Sequence, residues 1–131
     1  MTSTRLDHCA VGVSDWDVAN AFWRDVVGAE LVELARGISA YRFGEQLVTV
    51  HGPGSNPEPP HAVSPGASHV AFVWPGSIVQ AVEHLTRRAV AIEQGPVARR
   101  AVGRGEGQSV YFRDPDGSLL EFVSYEGRVS T

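Results

Sequence analysis

Asp7-His8-Cys9-Ala10-Val11-Gly12-Val13 and Ser68-His69-Val70-Ala71-Phe72-Val73-Trp74 decide the fold, because the second stretch repeats the design of the first. Side chains alternate across a strand. His8, Ala10 and Gly12 therefore share one face and Cys9, Val11 and Val13 the other, while His69, Ala71 and Val73 oppose Val70, Phe72 and Trp74. In each opening strand the large apolar residues face a following helix. A histidine is left beside small residues on the opposite, concave face, an arrangement that makes a cavity.

Working outward, the first helix is expected from about Asp15 to Val27, with Ser14 as N-cap, Asp17 three residues on and Gly28 beyond the end. Trp16, Ala19, Trp23, Val26 and Val27 give it one apolar face. The second, about Ser77 to Arg88, follows the Pro75-Gly76 break and carries Ile78, Val82, Leu85 and Ala89 as its stripe. After each helix come three short alternating runs: 30–35, 40–43 and 46–50, then 91–97, 109–112 and 118–125. The pattern is βαβββ twice, an α+β chain. It reads as one domain, with module one at about 4–52, a linker at about 53–66 holding five of the eight prolines, and module two at about 67–125. Asp114-Pro115-Asp116-Gly117 reads as a hairpin turn, which explains both aspartates without a second cation.

Bulk properties narrow the functional classes. A chain of 131 residues suits one domain and would make two independent ones marginal. A formal charge of −4 and no lysine argue against nucleic acid as a partner. Arg99, Arg100 and Arg104 gather locally, as a solvated loop or an anion contact. No apolar run approaches the roughly 20 residues needed to cross a bilayer, and Met1–Thr4 is too polar to open a signal peptide, so a cytoplasmic protein is expected. The lone Cys9 excludes a disulfide framework and a multi-thiolate zinc site. A metal must then sit on histidine and carboxylate.

Glu121 supplies the carboxylate. It lies in Leu119-Leu120-Glu121-Phe122-Val123, where an unpaired buried charge costs several kcal/mol unless a cation meets it. His8, His69 and Glu121 form the two-imidazole, one-carboxylate set that suits Fe(II), Mn(II) or similar ions and leaves positions open for substrate. His51 stands ten residues after Tyr41 as Glu121 stands ten after Tyr111, which pairs His51 with Glu121 in the repeat. Tyr41 is either a cavity residue opposite Tyr111 or a half-buried strand tyrosine. Trp16 and Trp23 read as packing residues, and His61 and His84 as exposed histidines.

These residues resemble the vicinal oxygen chelate superfamily, which includes glyoxalase I, fosfomycin-modifying enzymes, extradiol dioxygenases and bleomycin-binding proteins. The most specific stretch is Ser109-Val110-Tyr111-Phe112-Arg113-Asp114-Pro115-Asp116-Gly117-Ser118-Leu119-Leu120-Glu121, and the wording is closest to the virulence-associated, glyoxalase-like subgroup. The resemblance implies modules that each form half of a barrel, one divalent metal (Fe, Mn, Ni or Zn) between them, a small substrate chelating it through adjacent oxygens, and pairing as a homodimer. From the extradiol enzymes, Tyr111 would assist substrate and Glu121 would bind metal, although Arg104 or its neighbours occupy the place of an upstream histidine. Glyoxalase I would make His51 a fourth ligand where that family usually has a carboxylate; otherwise His51 is a general acid or base. Glu106 to Gly117 also follow fosfomycin-enzyme wording, but Ala10 and Ser130 depart from its expected threonine and arginine. The expected function is a mononuclear metalloenzyme acting on a vicinal-oxygen substrate, extradiol-dioxygenase-like. Glyoxalase-like isomerisation and metal-free drug binding are the alternatives.

Overall fold

The computed structural model describes residues 3–101 and 105–126. Arg104 and Ser130 lie outside the described residues, as does the side chain of Arg100. The elements run βαβββ twice, and the chain divides into one unit through Ser68, joined by Pro115–Gly117, and a second formed by the rest of the chain from His69. Each carries its own four-stranded mixed sheet.

In the first unit, β1 (His8–Gly12) is followed by α1 (Trp16–Phe22), which passes into a π-helical turn at Trp23–Val27. Then come β2 (Glu30–Glu33), β3 (Ser39–Phe43) and β4 (Gln46–His51). The sheet order is β1-β4-β3-β2, with β1 parallel to β4 and the other pairs antiparallel. Val11, Val13, Ala19, Trp23, Val48 and Val50 bury the face between sheet and helix, and Trp23 stacks on Tyr41 at 4.9 Å. Tyr41 is thus a core residue: its hydroxyl donates to Asn20 Oδ1 at 2.9 Å.

The N-cap of α1 is Asp15, whose Oδ1 accepts from the Val18 N–H at 3.0 Å, and not Ser14 as expected. Ser14 is engaged elsewhere: its N–H and hydroxyl both donate to the Asp116 carboxylate. Gly28 closes the helical segment in the left-handed conformation. The Pro-rich stretch does more than connect. Pro65 bridges to Gly12, where an added Cβ would fall 2.1 Å from the Val63 carbonyl oxygen, so only glycine admits this segment. The Trp16 indole donates to the Pro53 carbonyl at 2.8 Å. In the β2–β3 turn Arg36 takes φ 64 and ψ 25, a left-handed conformation that costs an L side chain roughly 1–2 kcal/mol.

The second unit contains β5 (His69–Val73), α2 (Ile78–Arg87), β6 (Ile92–Ala101), β7 (Gly105–Arg113) and β8 (Leu119–Ser124), in the sheet order β5-β8-β7-β6. Ser77 and Gln80 close a capping box at the start of α2. Ile78, Ala81 and Leu85 bury its inner face with Val110, Phe112, Leu120 and Phe122 from the sheet. Ala89, expected in that stripe, is exposed at φ 57 just past the helix end. His84 is half-buried rather than exposed, 5.2 Å from Trp74 and 6.4 Å from Phe122 by ring centroid. The β7–β8 turn forms as expected: Asp114 N–H donates to the Ser118 carbonyl at 3.0 Å, and Ser118 N–H to Asp114 Oδ1 at 2.8 Å. No described helix is long and apolar enough to cross a membrane.

Candidate functional site

β5 and β8 run parallel with Ala71 opposite Glu121, so His69 stands two residues before that pair on the same face. His69 Nε2 lies 3.4 Å from Glu121 Oε1. That is long for a hydrogen bond but close to the separation of two donors each about 2.0–2.2 Å from one ion in tetrahedral geometry. The Glu121 side chain is only 12% exposed. Its other oxygen, Oε2, accepts from the Ser109 hydroxyl at 2.7 Å, and Ser109 is fully buried on β7. A nearly buried carboxylate with one hydroxyl donor and a facing imidazole retains acceptor capacity for a cation. The donor chemistry fits a divalent ion, and Ser109 fits the partner that orients a ligating carboxylate.

Tyr111 sits directly across β7 from Glu121. Its hydroxyl oxygen accepts from Arg99 Nε at 3.3 Å, and the guanidinium carbon lies 5.9 Å from the ring centroid. Because Arg99 can only donate, the tyrosine proton stays free for another acceptor. Arg99 belongs to β6, a longer strand than expected, so the solvated-loop reading of this arginine does not hold.

The first unit brings His8 and His51 to one cavity of about 620 Å³, whose lining also includes Arg36, Ser39, Thr49 and Glu58. His8 Nδ1 lies 2.7 Å from Asp7 Oδ2, the carboxylate–histidine arrangement that leaves Nε2 with its lone pair available. His51 is held differently. Its Nδ1 lies 2.9 Å from the Val63 backbone N–H, a group that can only donate. In the neutral ring, Nε2 must then carry the hydrogen. This tautomer makes Nε2 a donor and leaves the ring no lone pair for a metal.

The strand registers correct one expectation. In the first unit Ala10 pairs with Thr49 and Gly12 with His51; in the second Ala71 pairs with Glu121. With His8 matched to His69, the counterpart of Glu121 is Thr49, not His51. Likewise Ala40 pairs with Thr49 as Tyr111 pairs with Glu121, so Tyr41 is not the counterpart of Tyr111. The equal ten-residue spacings conceal turns of different length, Gly44-Glu45 between β3 and β4 against Asp114–Ser118 between β7 and β8.

Of the sequence-derived residues, the structure brings His69 together with Glu121, sets Tyr111 beside them, and lines one cavity with His8 and His51. Among the described residues no group of three or more His, Cys, Asp or Glu side chains stands together as a metal cluster. Ser109 and Asp7 were not recognised from sequence, and Arg99 was read as a solvated loop or an anion contact, not as a partner of Tyr111. Ser109 had a visible signal, standing two residues before Tyr111 on the same strand face.

The sequence matches the Glyoxalase/Bleomycin resistance protein/Dioxygenase superfamily over residues 5–122. It is 34% identical over 122 residues to the glyoxalase domain-containing protein RDO1 of Mycosarcoma maydis, covering 92% of this chain and 68% of that protein. Virulence protein STM3117 of Salmonella typhimurium is 32% identical over 126 residues, 95% of this chain and 87% of that one. Its crystal structure matches with a TM-score of 0.85 over 95% of this chain and 99% of that chain. A lactoylglutathione lyase of Agrobacterium tumefaciens is 25% identical with a TM-score of 0.72, covering 95% and 96%. By sequence and by fold, then, the chain belongs to the glyoxalase/bleomycin resistance/dioxygenase superfamily, and within it matches the virulence-associated, glyoxalase-like subgroup.

Proposed function

We propose that the protein is a mononuclear, divalent-metal-dependent enzyme acting on a small substrate with adjacent oxygens, extradiol-dioxygenase-like in chemistry. His8, His69 and Glu121 would hold the metal. The observation that carries this is the His69–Glu121 pair, a nearly buried carboxylate facing an imidazole at ligand spacing and braced by Ser109. When bound, the ion supplies Lewis-acid polarisation and a template for the substrate oxygens.

The chain's own groups then have distinct tasks. Asp7 holds His8 with Nε2 available, and Ser109 fixes the rotamer of Glu121. Tyr111, oriented by Arg99, donates its proton to a substrate oxygen. His51 acts as a hydrogen-bond donor to the substrate, because Val63 occupies Nδ1 and leaves the hydrogen on Nε2. The same tautomer disfavours a fourth-ligand role. It also weakens glyoxalase-like isomerisation, since the ring nitrogen that would take a proton is already engaged. We place the enzyme in the cytoplasm as a homodimer, with neither nucleic acid nor membrane as partner.

Oxygen uptake with a panel of catechols, after loading with Fe(II), tests the reaction class. Uptake that falls at least about tenfold in Tyr111→Phe or His51→Gln supports the proposal. No uptake with any catechol, together with turnover of a hemithioacetal, would replace ring cleavage by isomerisation.

A further inference from the structure

We infer that the cavity of the first unit recognises the carboxylate of its ligand, through the Arg36 guanidinium and the Nε2–H of His51. The inference deepens the reading above by giving the substrate a charge, and it rests on that reading only in treating the cavity as a substrate site.

Arg36 lines the cavity from the β2–β3 turn and makes no hydrogen bond or ion pair with any described residue. Other arginines of the fold are engaged: Arg24 with Asp25, Arg42 with Glu30 and Arg113 with Glu93. Its backbone also resists the residue. At φ 64 beside Gly37 at φ 71, this turn position suits glycine or asparagine, and no hydrogen bond or ion pair among the described residues explains a long cationic side chain there. His51 contributes a second donor from the end of β4, with its tautomer fixed by Val63. A planar fork and an imidazole N–H on two residues that line one cavity match a carboxylate, which accepts charge-assisted bonds on both oxygens. Two acidic groups oppose this, Glu58 in the lining and Asp7 beside His8. Asp7 is occupied by His8 Nδ1. Glu58 is exposed and should repel an anion that Arg36 attracts, which gives the assignment a test of sign.

The test uses the full chain in EDTA, titrated with benzoate and with benzamide, which share a shape and differ in charge. Amide shifts of residues 36–39 and 51 follow binding. Benzoate should bind at least about tenfold more tightly than benzamide, a difference of about 1.4 kcal/mol. Arg36→Gln should abolish that preference. Arg36→Gly should abolish it too while raising the melting temperature, which separates lost binding from lost folding. Glu58→Gln should tighten benzoate severalfold. Equal affinity for the two probes, no binding of either up to about 50 mM, or a preference that survives Arg36→Gln would each overturn the assignment. Because no metal is present, none of these results depends on the metal-site proposal. Conversely, failure of that proposal would leave the benzoate preference intact.

Discussion

The two modules share one topology and differ at one decisive position. In both, a histidine opens a strand that runs parallel to the last strand of its module, and in both an alanine two residues later faces that last strand. Opposite that alanine the first module has Thr49, which donates to the Cys9 carbonyl at 3.3 Å, and the second has Glu121. A hydroxyl satisfies itself on the backbone. A carboxylate in the same place takes the Ser109 hydroxyl on one oxygen and faces His69 with the other. Two modules of one topology thus present different side chains at matched positions, a hydroxyl in one and a carboxylate in the other.

The sharpest way to break the comparison is to equalise the pair. Glu121→Gln should lower activity by at least about 10³-fold and, in EDTA, leave the melting temperature unchanged or a few degrees higher, because a buried charge without its cation is a burden. Thr49→Val should leave the metal content unaltered. Turnover assays beside thermal unfolding would check both; a Glu121→Gln enzyme retaining full activity would contradict the assignment.

The tyrosines offer a smaller contrast. Tyr111→Phe should reduce kcat about 10–100-fold with little change in stability. Tyr41→Phe should lose about 1 kcal/mol of stability with kcat intact, because its buried hydroxyl bonds Asn20. Steady-state kinetics paired with denaturant unfolding separates them, and interchanged phenotypes would reverse the two roles.

The smallest effect concerns a feature both modules keep. Glu30 pairs with Arg42 and Glu93 with Arg113, each across the outer pair of strands. The hydrogen bond from Arg113 holds the Glu93 carboxyl below its ordinary range. A depressed folded value contributes stability above the unfolded carboxylate pKa of about 4.3 and loses it as pH falls through the folded value. Glu93→Gln should therefore flatten the acid limb of the stability profile only slightly, since the pair is exposed. A large change in unfolding at neutral pH would show that the pair is not merely a surface contact.

Much of this was legible in the sequence. The repeated opening strands, two amphipathic helices and Asp-Pro-Asp-Gly turn disclosed βαβββ twice, because those signals are local. That Glu121 has a polar partner in His69 was legible, because a carboxylate in an apolar strand is costly alone. The relation between Tyr41, His51 and Tyr111 was misread, since equal spacing along the chain does not reveal how many residues a hairpin turn consumes. Ser14 was misread as the cap because its partner, Asp116, lies 102 residues away. The tautomer of His51 depends on the Val63 N–H, and no side-chain pattern announces a backbone donor.

If one ion depends on both His8 and His69, as proposed, the metal content of protein purified without chelator will reveal it. About one divalent metal per chain is expected in the parent, with strongly reduced occupancy in both His8→Ala and His69→Ala. Unchanged occupancy in either variant would contradict it.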